Sequence, residues 1–534
     1  MKKIFPLLCM LFACFAISIN AQPQQESYIQ LQKLQMAEMA ISRLYVDSIN
    51  EGKLVEDAIR HMISTLDPHS AYSPPKESKR LNESMQAEFS GIGVEFQMLD
   101  DTLLVITTVV DGPSERVGIL PGDRIITVND NSIAGQGLPN DSILSILRGP
   151  KGTQVRVGIL RRGVNELIPF SIIRDKIPIY SLDAAYMVDK GIGYIRLSRF
   201  ATTTYDEFMV AVSKLQKQGM KDLIIDLQSN GGGDLQVVTK MVSEFFEKDQ
   251  LIVYAEGRTQ PRHDFKSDGV GTLRKNRVVV LVDSYSASAS EILAGAIQDW
   301  DRGVVVGRRT FGKGLVQTQI NLPDESQLRL TIARYYTPSG RCIQKPYERG
   351  QKEDYEKELL ARLSHGEMSH LDSTHFSDSL KYYTRVLQRP VYGGGGIMPD
   401  IFIPIDTTWS TPLYRELAVR GLINRWATQY IEQNRNQLKA KYKKFEQFDK
   451  TYQISADAIA QLKGIAEESN VEWNEEQLTA SSEMLHTQFK ALMARHLWGM
   501  TEYFQITNRT NKSFIEGVSI LKDGRYETQL QSPK

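Results

Sequence analysis

The sequence predicts a multidomain α/β protein. Three observations carry that expectation. The chain has 534 residues, too many for one hydrophobic core, so about two to four domains are expected. Between roughly residues 176 and 405, short β-branched apolar runs alternate with amphipathic stretches, the rhythm of strands separated by helices. Around that core, residues 86–175 read as short strands punctuated by Gly and Pro, and both ends of the chain read as helical.

The elements follow in order. Lys2-Lys3, the apolar run Ile4 to Ile19 and Asn20-Ala21-Gln22 have the charged, apolar and small-residue parts of a secretory signal peptide over 1–21. That run is short for a membrane anchor, and the mature chain is expected to be soluble. Cys14 sits in a faint lipoprotein-like box, with Phe12 against it. In the helical segment 22–85, Leu34, Ala37, Ala40, Ile41 and Leu44 recur at helical spacing, as do Val55, Ala58, Ile59 and Met62. Leu66-Asp-Pro-His-Ser-Ala-Tyr72 and Pro74-Pro75 break that pattern.

In the 86–175 segment, Gly91-Ile-Gly-Val94 opens a strand, and Leu103 to Val110, Arg124 to Val128 and Val155 to Leu160 supply others. Ser142 to Leu147 is a short helix with Ile143, Leu144 and Leu147 inward. In the 176–405 segment, strands are expected at Ile192–Leu197, Asp222–Leu227, Val278–Val282 and Gly303–Gly307. Helices between and after them show Phe208, Val212 and Leu215, then Ile292, Leu293, Ala296, Ile297 and Trp300, on their apolar faces. Residues 345–385 are charged and weakly patterned, which predicts an excursion or mobile loop. The extension 406–534 is mostly helical and polar, and its Lys439, Lys441, Lys443 and Lys444 read as a solvated face.

Apolar residues make up 41% and charged residues 24%, ordinary values for globular protein. Lys+Arg and Asp+Glu both total 64, so no global charge points to nucleic acid. Of three cysteines, Cys9 and Cys14 lie in the leader, leaving Cys342 alone. A single thiol excludes an intrachain disulfide framework, and Cys342 reads as a small apolar filler.

Three stretches bear on chemistry. Ser284-Tyr-Ser-Ala-Ser-Ala-Ser-Glu-Ile292 follows a buried strand and starts a helix. Ser288-Ala-Ser-Glu291 fits a capping box, so Ser288 reads as an N-cap worth about 1 kcal/mol. The alternative is a nucleophile held at a helix N-terminus, where free N–H groups favour a developing oxyanion. A serine nucleophile needs a base. None of the eight histidines stands in a motif-like context, and His69 reads as part of a capped turn. Lys313, between two glycines in Phe311-Gly-Lys-Gly-Leu315, is the other candidate, because burial can deprotonate a lysine at neutral pH. Gly307 to Lys313 also matches the start of a phosphate-binding loop, but Gly314 replaces its hydroxyl and a strand follows. Asp226-Leu-Gln-Ser-Asn-Gly-Gly-Gly-Asp234 is either a strand-to-helix turn or a source of N–H donors.

Together these stretches resemble the C-terminal processing peptidases, or tail-specific proteases, of peptidase family S41: Ser-Lys endopeptidases carrying a PDZ domain. Ser286 to Ile292, Phe311 to Gln317 and Asp226 to Gly233 match the family's motifs, as do Leu66 to Ser70, Tyr335 to Arg341 and Gly394 to Asp400. The likeness spans roughly residues 30–405. It implies a ClpP/crotonase-like α/β protease core at 176–405 and a PDZ domain, a small β-barrel with helices, at 86–175. It also implies Ser288 as nucleophile, Lys313 as base and Gln317 as the residue orienting that lysine. Ala289 and Gly232 would form the oxyanion hole, and Asp299, near a helix end, would have either a supporting catalytic role or a structural one. Gly91, Ile92, Gly93 and Val94 would bind a peptide C-terminus by its carboxylate, the peptide adding to the sheet, and Arg148 would couple the PDZ domain to the core. No metal, cofactor or nucleotide is implied. The expected partners are protein or peptide substrates in the periplasm or cell envelope, with the C-terminal extension available for a homo-oligomer or adaptor. The rival expectation is an inactive PDZ adaptor that binds C-terminal peptides without cleaving them.

Overall fold

A computed structural model describes residues 22–371 and 377–531. The expected leader at 1–21, with Cys14, lies outside the described residues. None of the described helices is long and apolar enough to cross a membrane.

The core is a six-stranded sheet in the order Leu182–Asp189, Ile192–Leu197, Asp222–Asp226, Arg277–Val282, Val304–Gly307 and Ile401–Phe402. The first pair is antiparallel and the other neighbours are parallel. Parallel strands need both faces covered, and side chains alternate between two different covers. Ile195, Ile225, Val278, Val280 and Val305 pack under the helices Thr204–Lys217, Leu235–Ser243 and Ala289–Asp299, through Phe208, Val212, Met241, Leu293 and Ile297. Tyr194, Ile224, Val279, Leu281 and Val306 face the other way, onto Phe514, Ile520, Leu521 and Tyr526 of the last two helices. The end of the C-terminal extension is therefore part of the core built on this sheet. A Cβ on Gly517 would sit 3.2 Å from both Leu281 and Val279, so that helix lies close on the sheet.

Residues 413–506 of the extension build a separate helical core around Trp426, Phe448, Leu462 and Phe489. Ahead of the main sheet, strands from Val94–Leu99 to Ile168–Ile173 close around Leu103, Ile125, Val155 and Ile159. Val94–Leu99 is an edge strand of that sheet. Its outward Gln97 accepts from Thr428, and its Glu95 pairs with Arg495. On the next-but-one strand Arg124 pairs with Glu432 at 2.9 Å. The helical extension thus braces this small domain from outside.

A third sheet joins Ala71–Ser73, Gln327–Tyr336, Leu251–Glu256 and His263–Lys266, with Leu315–Asn321 paired to Gln327–Tyr336. The hairpin made by those last two strands carries Lys313 at its entry.

One expectation needs correcting. The 345–385 excursion is not a loop throughout: Lys352–Ser364 is a helix, and Lys381–Tyr383 pairs with Pro390–Tyr392. Polar contacts dock the helix. Arg362 donates to the carbonyls of Thr310 and Phe311, and Lys345 pairs with Glu358 at 2.8 Å. Docking of this kind leaves little apolar periodicity to read.

Candidate active site

The loops after Asp222–Asp226 and Arg277–Val282 meet at the carboxyl ends of two neighbouring parallel strands, where open α/β sheets form their crevices. The alternating serines have different tasks. Ser286, fully buried, donates to the Leu227 carbonyl at 2.8 Å, and Ser290 donates to the Asn230 carbonyl at 2.9 Å. These two hydroxyls stitch the serine loop to the glycine loop. Small side chains are needed because the loops nearly touch: a Cβ on Gly232 would lie 2.7 Å from the Ala287 carbonyl oxygen. Gly233, at φ 148°, would bring its Cβ 1.9 Å from the Phe200 carbonyl oxygen, so only glycine fits there.

Ser288 is the one left over. It has φ 55° and ψ −114°, a conformation sparsely populated by non-glycine residues and worth about 1–3 kcal/mol of strain. Its side chain lines a cleft of about 790 Å³ together with Ala289, Lys313, Gln317, Arg329 and Tyr335. The strain is held by neighbours. The fully buried Glu291 carboxylate accepts the Ser288 N–H at 2.8 Å, the Lys313 N–H at 2.8 Å, the Gly312 N–H at 2.7 Å and the Thr310 hydroxyl at 2.5 Å. Burial pushes the Glu291 carboxyl up, and these four donors oppose it. The glutamate read as half of a capping box therefore ties the serine turn to the lysine turn. Tyr335 adds a second tie, its hydroxyl donating to the carbonyl oxygens of Ser288 and Lys313.

Lys313 is half-buried, and burial followed by the nearby Arg329 guanidinium lowers its pKa to about 8. Its ammonium donates to Gln317 Oε1 at 3.1 Å. Gln317 Nε2 donates to the His69 carbonyl at 2.7 Å, which fixes the carboxamide so that its oxygen faces the lysine. The His69 turn is capped by Asp67, which accepts the N–H groups of His69 and Ser70. Behind it the imidazole meets the Tyr355 hydroxyl at 2.7 Å, from the excursion helix. Burial, then repulsion from Lys313, lowers the His69 pKa to about 3, so the ring is neutral. No hydrogen bond joins Ser288 Oγ and Lys313 Nζ among the described residues, although both face one cleft.

The oxyanion pair expected at Ala289 and Gly232 is half-formed. Ala289 N–H donates to no described acceptor, whereas Gly232 N–H donates to Asn230 Oδ1 at 2.9 Å. Asp299 is placed elsewhere: it ends the 11-residue helix that Ala289 begins, roughly 15 Å along the axis. There it is fully buried, paired with Arg341 at 2.7 Å and capping the Ser339 N–H, a structural role. Cys342 lies outside the residues lining the cleft, and burial pushes its thiol up, in keeping with a filler.

In the small β-domain, Ile92 and Gly93 N–H groups donate to no described acceptor, while their carbonyl oxygens accept from Ser114 and Val109. The Gly91–Val94 stretch thus turns free N–H groups toward the start of the edge strand. Arg148 pairs with Glu83 at 2.8 Å and lies over the Phe89 ring. Glu83 belongs to the helix Pro75–Gln86, whose Leu81 and Met85 line the same cleft as Ser288. Arg148 therefore reaches the cleft wall through one helix.

Among known families, peptidase family S41 matches residues 191–356, a PDZ domain matches 90–171, and the N-terminal domain of the activating protease CtpB matches 15–76. A family of unknown function matches 413–499. A carboxy-terminal-processing protease of Bartonella bacilliformis is 37% identical over 337 residues, 62% of this chain and 76% of its own. Carboxy-terminal processing protease CtpB of Bacillus subtilis is 36% identical over 336 residues, 62% of this chain and 69% of its own. Among solved structures, a photosystem II D1 C-terminal processing protease is 29% identical, covering 58% of this chain and 89% of that one, with a TM-score of 0.33.

Proposed function

The chain belongs to the carboxy-terminal processing proteases of peptidase family S41, and from that premise we propose that Ser288 and Lys313 are its catalytic dyad. Neutral Lys313 Nζ takes the Ser288 hydroxyl proton as Oγ attacks the scissile carbonyl carbon. Ala289 N–H and a second donor from the Gly232 turn hold the oxyanion. Collapse of the intermediate expels the amine, which receives the proton from the Lys313 ammonium, and leaves an acyl-enzyme on Ser288. A water, giving its proton to Lys313, then hydrolyses that ester. Gln317 orients the lysine throughout, and Asp299 takes no part in the proton transfers.

Substrate proteins are read by their C-termini: the free N–H groups of Ile92 and Gly93, within Gly91–Val94, take the carboxylate, and the edge strand Val94–Leu99 adds the peptide to the sheet. Arg148 and Glu83 carry that contact to the cleft. The enzyme works after export, in the periplasm or cell envelope. The observation that carries this reading is the shared cleft. Ser288 in its strained turn and a lysine with its pKa lowered to about 8 face the same space, tied together by Glu291.

The test incubates the chain, and its Ser288→Ala variant, with an unfolded protein bearing an apolar C-terminus, free or amidated. Mass spectrometry follows the products. Cleavage by wild type alone, weakened by amidation, supports both parts. Peptide binding without any cleavage points instead to an adaptor.

A further inference from the structure

Arg329 lies on the strand Gln327–Tyr336, as does Tyr335, and both residues line the cleft that holds Ser288 and Lys313. Its guanidinium makes no hydrogen bond or ion pair with any described residue, and its half-buried side chain leaves Nε buried without an acceptor. Its strand partners are Gln319 and Ala71, both uncharged. An unpartnered Nε is shared by Arg148 and Arg341, but each of those is paired through a terminal nitrogen, with Glu83 and Asp299, and Arg362 pairs with Glu358.

The charged groups around it do not fill the gap. Lys313 is a second cation. Asp67 is occupied by the Ser70 and Thr331 hydroxyls and two N–H groups. Glu291 spends both oxygens on the two turns. Arginine keeps its charge at any working pH and presents a planar fork that matches a carboxylate. A half-buried cation without an anion is unfavourable unless a ligand completes it.

We propose that Arg329 is a specificity-determining residue that receives a carboxylate of the peptide substrate beside the scissile bond; this rests on the protease reading above. The carboxylate comes from an acidic side chain or from a chain terminus. Either would offset the repulsion that Arg329 exerts on the Lys313 ammonium, so an acidic substrate would be cut best at somewhat higher pH than a neutral one.

The test uses the full chain, Arg329→Gln and Arg329→Glu. One cleavable peptide is made with Glu, Gln or Lys placed in turn on either side of the scissile bond, each with a free or amidated C-terminus. Wild type is expected to favour Glu over Gln at one position by about tenfold in kcat/KM, the scale of one charge-assisted pair. Arg329→Gln should erase the preference and Arg329→Glu should transfer it to Lys. If instead a free terminus is preferred, and only that preference falls in Arg329→Gln, the carboxylate is the terminal one. Equal rates for Glu and Gln with either terminus, or a preference that survives in Arg329→Gln, overturn the proposal.

Fluorescence anisotropy of the same peptides on Ser288→Ala reads the preference without turnover. Arg329-dependent binding with no cleavage by wild type would uphold the subsite and sink the catalytic reading. Ser288-dependent cleavage with no preference in either assay would do the reverse.

Discussion

The Lys313 ammonium donates to Gln317 Oε1 at 3.1 Å, and the His69 carbonyl, 2.7 Å from the other end of the same carboxamide, prevents that group from turning over. A carboxamide oxygen holds the amine without adding a negative charge. That distinction matters for a base, since a carboxylate at the same place would favour the ammonium.

The pH dependence follows. Lys313 acts only when neutral, so kcat/KM should rise as pH passes through about 8 and level off above it. Gln317→Glu should move that rise upward by about 1–3 pH units. Initial rates between pH 6 and 10 check both. A fall across the same range would require the charged lysine, contrary to its role here.

Stability should move against activity at the same residue. The folded pKa of about 8 lies below the ordinary lysine value of 10.5. The unfolded chain therefore binds more protons between those values, and stability rises with pH across them. Below about pH 8 the buried charge costs on the order of 1–3 kcal/mol. Lys313→Met should therefore raise the denaturation midpoint at pH 7 while abolishing turnover. The gain should shrink toward pH 10.5, as urea melts at both pH values would show.

Glu291 bears a heavier structural load than a helix cap. Glu291→Ala leaves four donors without their acceptor, and an uncompensated buried donor costs about 1–3 kcal/mol. A loss of roughly 3–5 kcal/mol is expected after relaxation, well beyond the typical cap value of about 1 kcal/mol. A loss within the cap range, measured by chemical denaturation, would reduce Glu291 to the capping role read from the sequence.

Arg148→Ala removes the Glu83 pair and the cover over Phe89. The ratio of cleavage rates for free and amidated C-termini should fall toward one, while peptide affinity changes less than about threefold, since Arg148 lies outside the Gly91–Val94 loop. An unchanged ratio would show that the coupling runs elsewhere.

Much of this was legible in the sequence, for reasons visible in particular residues. Val278 to Val282 is an unbroken apolar run because both faces of its strand are covered, and Ile292, Leu293, Ala296 and Ile297 repeat at helical spacing because they face that sheet. What escaped depends on contacts distant in sequence. Lys352–Ser364 is docked by Arg362 and Tyr355 rather than by an apolar stripe. The Gly232 N–H is engaged by an asparagine side chain that no spacing rule reveals. The partner of Asp299, Arg341, is 42 residues away in sequence. Arg329 was silent because nothing in its own stretch marks a missing partner.

The central claim is that Ser288 is made nucleophilic by Lys313. The most direct measurement reacts the chain, Ser288→Ala and Lys313→Met with a fluorophosphonate, then reads intact mass and maps the modified residue. The expected result is a single adduct on Ser288 of the wild type, with none on Ser288→Ala and slowing by at least about 100-fold in Lys313→Met. An adduct elsewhere, or equal labelling of Lys313→Met, would contradict the dyad.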